Sequence, residues 1–382
     1  MDLPGVLVSA VPASAPLDTP CLFRLTYGQV IEPSACRSTP VEGEEQRTVT
    51  TVASRPPAPD GVVGQPRSAL VRLRRRRVVT VLGLLVLLGL CCLASAAVGA
   101  KAIPPGAVWD ALVAPAGTEN DIIVRSLRMP RTTLGVLAGV ALGLAGALMQ
   151  GHTRNPLAEP GILGVNAGAA LAVVLAIYAL GVQSLAGYIW FAFAGALLAS
   201  IAVFSIGSAG RGGPTPVTLA LAGTALTYLL LALTHAVVLS DVATLDAYRF
   251  WSVGSLAGRD SGISIQVVWF IAAGTLLALA TAPGLNALAL GDDVARALGQ
   301  SVRLIRVTGV VAITLLAGGA VAACGPIAFL GLVVPHVARS LTGPDYRWLL
   351  PCAGLLGAIL MLVADVTGRV VMSPGELPVG IV

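Results

Sequence analysis

From Val78 onward the chain is written in long apolar runs separated by short polar punctuation. The runs fall at roughly 78–100, 132–150, 161–182, 187–207, 217–239, 263–283, 304–323 and 349–367, with a shorter one near 326–340. About 20 apolar residues form a helix that crosses a bilayer, because each backbone amide finds its partner inside the segment and none is left facing lipid. The pattern predicts an all-α, polytopic transmembrane helical bundle with about nine spans. The segment Glu376-Leu-Pro-Val-Gly-Ile-Val382 reads as the opening of a further apolar segment.

Residues 1–70 have a different texture. They mix Pro, Ser, Thr and Val with both charge signs and show no sustained period, and Arg55-Pro-Pro-Ala-Pro-Asp60 cannot form a helix. We expect a disordered N-terminal extension over 1–70 and one transmembrane domain over 71–382. A start codon assigned too far upstream would give the same texture. No charged segment precedes a first apolar run in the manner of a secretory signal.

Charge sets the orientation. Arg72-Leu-Arg-Arg-Arg-Arg77 stands directly before the first apolar run, and basic residues at a span end stay in the cytoplasm. With the N-terminus inside, Arg154, Arg211, Arg296, Arg303, Arg306, Arg339 and Arg347 also fall on the cytoplasmic side. Lys101, Arg125, Arg128, Arg131, Arg249, Arg259 and Arg369 fall outside, more positive charge than the rule leads one to expect. The expected location is the plasma membrane.

Composition agrees with the pattern. Of 382 residues, 56% are hydrophobic and 11% charged, against roughly 25% charged in soluble domains. The 44 glycines suit close helix packing in lipid; those at 135, 139, 143 and 146 form one small face of a single helix. The net charge of +5 comes almost wholly from arginine and is read as a topology signal, not a nucleic-acid contact. The six cysteines show no CxxC spacing.

Several chemistries are missing from the sequence. There is no GxxxxGK[ST] loop to cradle ATP phosphates, so no cofactor is expected on this chain and ATP energy would come from a partner. The spans are almost free of the carboxylates that ion-coupled carriers keep in the membrane, and Asp365 lies near a span end. His152, His235 and His336 have no metal-ligand spacing, and no Ser-His-Asp arrangement stands out, so neither catalytic nor metal residues are assigned.

Three stretches are more particular than generic membrane helix. The first is Arg128-Met-Pro-Arg131, a Gly-rich helix, and then Arg154-Asn-Pro-Leu-Ala-Glu-Pro-Gly-Ile-Leu-Gly164. The second is Leu288-Ala-Leu-Gly-Asp-Asp-Val-Ala-Arg-Ala-Leu-Gly299. The third is Gly325-Pro-Ile-Ala-Phe-Leu-Gly-Leu-Val-Val-Pro-His-Val-Ala-Arg339, followed by Ala364-Asp-Val-Thr-Gly-Arg369 and Glu376-Leu-Pro-Val-Gly380. Together, and in this order, they resemble the FecCD/BtuC-like permease family of iron-siderophore, haem and cobalamin ABC importers, from about residue 75 onward. The first seventy residues match nothing in that family, and its last helix, expected after Gly380, is absent.

The resemblance implies ten helices per subunit and a pore shared with a second permease copy or a paralogue. It also implies two ABC ATPase subunits, which hold the ATP and Mg, and an extracytoplasmic substrate-binding protein. The function implied is import of a ferric siderophore, haem or cobalamin; the rival readings are an ATP-independent secondary carrier and an inactive, truncated permease.

Residue roles follow from the same resemblance. Gly291, Ala295, Leu298 and Gly299 would contact the ATPase, where the plain alternative is a solvated loop. Arg128, Arg131 and Arg369 would dock the binding protein through its carboxylates, the alternative being anchorage to lipid phosphates. Thr224, Thr227 and Tyr228 would line the pathway, unless the hydroxyls only bond back to their own helix. Asn155 and Pro156 are read from the residues as a structural cytoplasmic turn with a possible part in gating.

Overall fold

The computed structural model describes residues 66–99, 101–182, 184–209, 215–372 and 375–382. The expected disordered extension lies outside the described residues up to 65. Residues 66–70 belong to the first helix, α1 (Pro66–Ala97), which therefore contains the basic cluster Arg72–Arg77 instead of following it. Arginine is a good helix former, and a long apolar tail carries the helix onward.

After α1 come two short helices, α2 (Pro105–Val113) and α3 (Glu119–Ile122). Thr118 and Asp121 cap α3 reciprocally. A π-helical stretch (Ile123–Arg128) leads without a break into α4 (Met129–Thr153). A single 3₁₀ turn (Pro160–Leu163) then precedes α5 (Val165–Leu180), α6 (Leu185–Ser208) and α7 (Pro216–Val238). The remainder is α8 (Val242–Ser252), α9 (Ser261–Leu288), α10 (Asp292–Ala297), α11 (Val302–Cys324), α12 (Leu330–Thr342) and α13 (Tyr346–Val371). No strand occurs among the described residues.

Among the described residues, seven helical stretches are long and apolar enough to cross a membrane, from Val71–Ala97 to Tyr346–Val371. Two further apolar runs form shorter helices, α5 with 16 residues and α12 with 13. Each is shortened by the backbone. The run at 161–182 is broken by Gly164, left-handed at φ 71°. The run at 326–340 starts with non-helical residues Gly325 to Phe329, and α12 begins only at Leu330. These two irregular entries touch, since a Cβ on Gly331 would lie 2.8 Å from the Pro160 ring.

α4 and α11 form the centre, whereas α1 and α7 lie at the periphery. α4 meets α13 and α12 through its small face. A Cβ on Gly139 would strike the backbone of Gly357 and Ala358, one on Gly143 the Ala353 carbonyl, and one on Gly146 the Gly331 backbone. Helices approach this closely only where side chains are missing.

Candidate functional site

The short α10 and its surroundings form the most distinctive surface of the fold. α9 ends at Leu288, and Gly291, at φ 117°, turns the chain into α10. Asp292 and Asp293 occupy its first turn, where the helix dipole favours negative charge. Gly299, at φ 77°, turns the chain out again toward α11. Both angles belong to the left-handed region that glycine tolerates best, and a Cβ at either position would meet nothing within 4 Å, so the demand is conformational and not one of space.

α10 has two faces. Ala295 is fully buried against Ala287, Leu288, Val302 and Ile305. The expected role for Ala295 as a partner contact is therefore corrected: it seats the helix on its own chain. On the other side Leu290, Val294 and Leu298 stand 65%, 44% and 60% exposed. Val294 and the C-cap residue Leu298, four residues apart, share one ridge of α10, whereas Leu290 precedes the Gly291 turn. Leu298 was expected on such a surface. Leu290 and Val294 were missed, although the i, i+4 spacing of Val294 and Leu298 was open to view in the sequence.

The Asn155–Pro156 turn lies beside α10. Arg154 ends α4 in the left-handed conformation at φ 50°. The Asn155 side-chain oxygen accepts from the Leu157 amide at 3.0 Å, and the Asn155 carbonyl accepts from the Ala158 amide at 3.1 Å. This Asx turn supplies the partners that the prolines cannot. Arg154 donates to Asp292 of α10, and Arg306 of α11 donates to the other Asp292 oxygen at 2.7 Å. Next to this bridge a cleft of about 280 Å³ is lined by Gln150, Arg154, Pro156, Ala289, Arg339 and Tyr346.

At the opposite end of the bundle the arginines expected to dock a partner are turned inward. Arg128 is buried and donates to the carbonyls of Ala96 and Ala97, each at 2.7 Å, and to that of Lys101. Arg131 pairs with Asp365 at 2.8 Å and with Glu376 at 2.7 Å. Arg369 is buried, pairs with Asp365 at 2.9 Å, and donates to the carbonyls of Ser95 and Val98. Each guanidinium thus has carboxylate or carbonyl partners within the chain. The sequence displayed the charges but not their partners, of which Asp365 lies 234 residues from Arg131.

On α7 the expected pathway residues divide. Thr224 and Tyr228 share an exposed face with Val217 and Leu221, and Tyr228 is 70% exposed. The Thr224 hydroxyl donates back to the Ala220 carbonyl at 2.8 Å, as hydroxyls in membrane helices do. Thr227 is half-buried and turned toward Gly164. Among the described residues no group of three or more His, Cys, Asp or Glu side chains could hold a metal ion.

The FecCD transport family matches residues 85–382. The chain belongs to this family. Among FecCD relatives, the ferric enterobactin transport system permease protein FepD of Escherichia coli (strain K12) is 47% identical over 309 residues, covering 80% of this chain and 91% of that protein. The iron(3+)-hydroxamate import system permease protein FhuB of Bacillus subtilis (strain 168) is 42% identical, covering 78% and 79%. The hemin transport system permease protein HmuU of Yersinia pestis is 38% identical, covering 78% and 89%. Among solved structures, a candidate metal-chelate type ABC transporter in an inward-facing conformation superposes with a TM-score of 0.70 at 28% identity, covering 80% of this chain and 94% of that one. This FecCD chain is thus a multi-pass membrane permease.

Proposed function

We propose that the chain is the membrane-spanning subunit of a binding-protein-dependent ABC importer that carries a ferric siderophore into the cytoplasm. The observation that carries this reading is the exposed apolar ridge of Val294 and Leu298 on a short helix between two glycine turns, with exposed Leu290 just before the first of them. Such a ridge would be seated in a groove of a soluble ATPase subunit. Closure of its ATP sites then becomes a push on α10.

The relatives' names support an iron chelate as cargo. The basic cluster Arg72–Arg77 in α1 supports a cytoplasmic N-terminus, and with it a cytoplasmic α10. The opposite, extracytoplasmic end would receive a substrate-binding protein, and Arg125 is an exposed cation there. A second permease copy or a paralogue would face the exposed side of α7. Thr224 and Tyr228 would then border a weakly polar pathway, suited to a bulky chelate that must slide and not bind tightly.

The test is uptake of a radiolabelled ferric siderophore by cells lacking the gene. Adding back the chain should restore uptake. The double variant Val294→Asp, Leu298→Asp should lower it by on the order of tenfold or more, as loss of central interface contacts does, with unchanged amounts in the membrane. Full uptake by the variant, or uptake that stops when the proton gradient collapses while ATP is maintained, would overturn the proposal.

A further inference from the structure

We propose that Asp292 is a positioning residue that ties α10 to α4, so that movement of α10 reaches the buried centre of the bundle. The inference rests on the reading of α10 as the ATPase-contacting helix. Covalently, α10 is joined only to α9 and α11, and through glycine turns at both ends. Such turns leave the backbone free at both ends, and Ala295 seats the helix on α9 and α11 but not on α4. α4, by contrast, is 138 residues away in sequence at the Arg154–Asp292 contact, and it is one of the most buried helices.

One carboxylate closes this gap. Arg154, the residue that ends α4, donates to Asp292 Oδ1, and Arg306, one turn into α11, donates to Oδ2 at 2.7 Å. Beneath the bridge α4 and α11 are already in contact. The buried imidazole of His152 lies where a Cβ on Gly309 would have to go. Asp292 thus fastens α10 to two helices that cannot separate without parting at His152. Charge-assisted bonds from two guanidinium groups to one carboxylate set direction as well as distance. Arg306 is 11% exposed, and Asp292 is its ion-pair partner, so the bridge has no ready substitute.

The adjacent acid supplies a matched control. The Asp293 side chain is 98% exposed and pairs with Arg296 inside α10, three residues along. It has the same charge and position in the first turn, but no tie to α4.

The experiment uses the whole transporter, permease with ATPase and binding protein, in lipid. Arg154→Gln cuts only the link to α4 and leaves Asp292 paired with Arg306, so it avoids stranding a buried charge. Asp292→Asn cuts both links, and Asp293→Asn cuts neither. Spin labels on Ala297→Cys and Leu157→Cys, both exposed positions, in a background with the native cysteines replaced, report the spacing of α10 from the end of α4.

The distance distribution should stay narrow in the parent and in Asp293→Asn, and should broaden in Arg154→Gln and Asp292→Asn. In proteoliposomes the iron-55 enterobactin moved per ATP hydrolysed should fall on the order of tenfold in the last two variants, within the usual range of coupling between sites. Assembly with the ATPase should be retained, and Arg154→Lys should recover part of the ratio. A purely structural role would lower assembly and leave the ratio alone. Parent-like distances in Arg154→Gln and Asp292→Asn overturn the inference, as does an unchanged ratio. If the parent itself moves no ferric enterobactin, that cargo falls, and the distance measurement alone still decides the role of Asp292.

Discussion

At the Arg128 end a single carboxylate, Asp365, holds Arg131 and Arg369 with 1% of its side chain exposed. At the α10 end Asp292 and Asp345 each gather groups from distant parts of the chain but stay 26% and 30% exposed. Asp345 takes Arg77 of α1 at 3.3 Å and Asn286 of α9 at 2.8 Å, and it caps α13. The same chemistry thus serves two mechanical purposes. A dry ion pair cannot change partners without passing through an unpaired buried charge. A partly wet pair lies between that case and a fully exposed pair, which is worth only about 0–1 kcal/mol. The Arg128 end is fastened dry, and the α10 end is fastened by bridges that water can reach.

The largest effect expected from this contrast is at Asp365. Asp365→Asn leaves Arg131 and Arg369 buried beside a neutral group, which should cost about 3–5 kcal/mol. It should appear as a sharp loss of folded protein in detergent and a lower unfolding temperature. A variant as stable as the parent would erase the distinction between the two ends. A smaller effect belongs to Asp345→Ala, which removes a helix cap and a partly exposed ion pair and should cost roughly 1–2 kcal/mol. Thermal unfolding measures it, and a cost equal to that of Asp365→Asn would show the α10 end to be equally fixed.

The smallest effect concerns Asp241, which caps α8 at the Arg128 end. The Thr244 hydroxyl and amide donate to its carboxylate at 2.6 and 2.8 Å. These bonds hold its pKa below the ordinary carboxylate range. A lowered folded pKa means that the cap contributes fully above the unfolded value and is lost as pH falls through the folded one. Hydrogen-exchange protection at the Thr244 and Leu245 amides should therefore be flat around neutrality and decline only in acid. Protection that declined near neutral pH would contradict the assignment.

The spans were legible because a bilayer demands long apolar runs, and each run of the sequence became a helix. What the runs concealed was continuity. The sequence starts its second span near 132, whereas the membrane-length helix extends back to Glu119. Arg125, Arg128 and Arg131 hide that extension, since nothing nearby in sequence announces that backbone carbonyls near the end of α1 will take the donors of Arg128 and that Asp365 will pair with Arg131. α10 was legible as an element through Gly291 and Gly299. Its outward face was not read correctly, because Ala295 and Leu298 are both apolar and only their neighbours in space decide which is covered. The pathway residues on α7 were the faintest, since hydroxyls that bond back to their own helix look the same in sequence as hydroxyls that line a passage.

The meeting of α4 and α13 has a mechanical consequence. Where side chains interlock, two helices can creep past one another in small rotameric steps. At Gly139, Gly143 and Gly357 there are no side chains to yield, and main chain rests on main chain. Packed surfaces of this kind have discrete arrangements and no continuous slide between them. While that contact persists, α4 and α13 swing together as one lever arm. Toward the Arg128 end the Arg131–Asp365 pair joins the same two helices a second time, so the lever is held along its length.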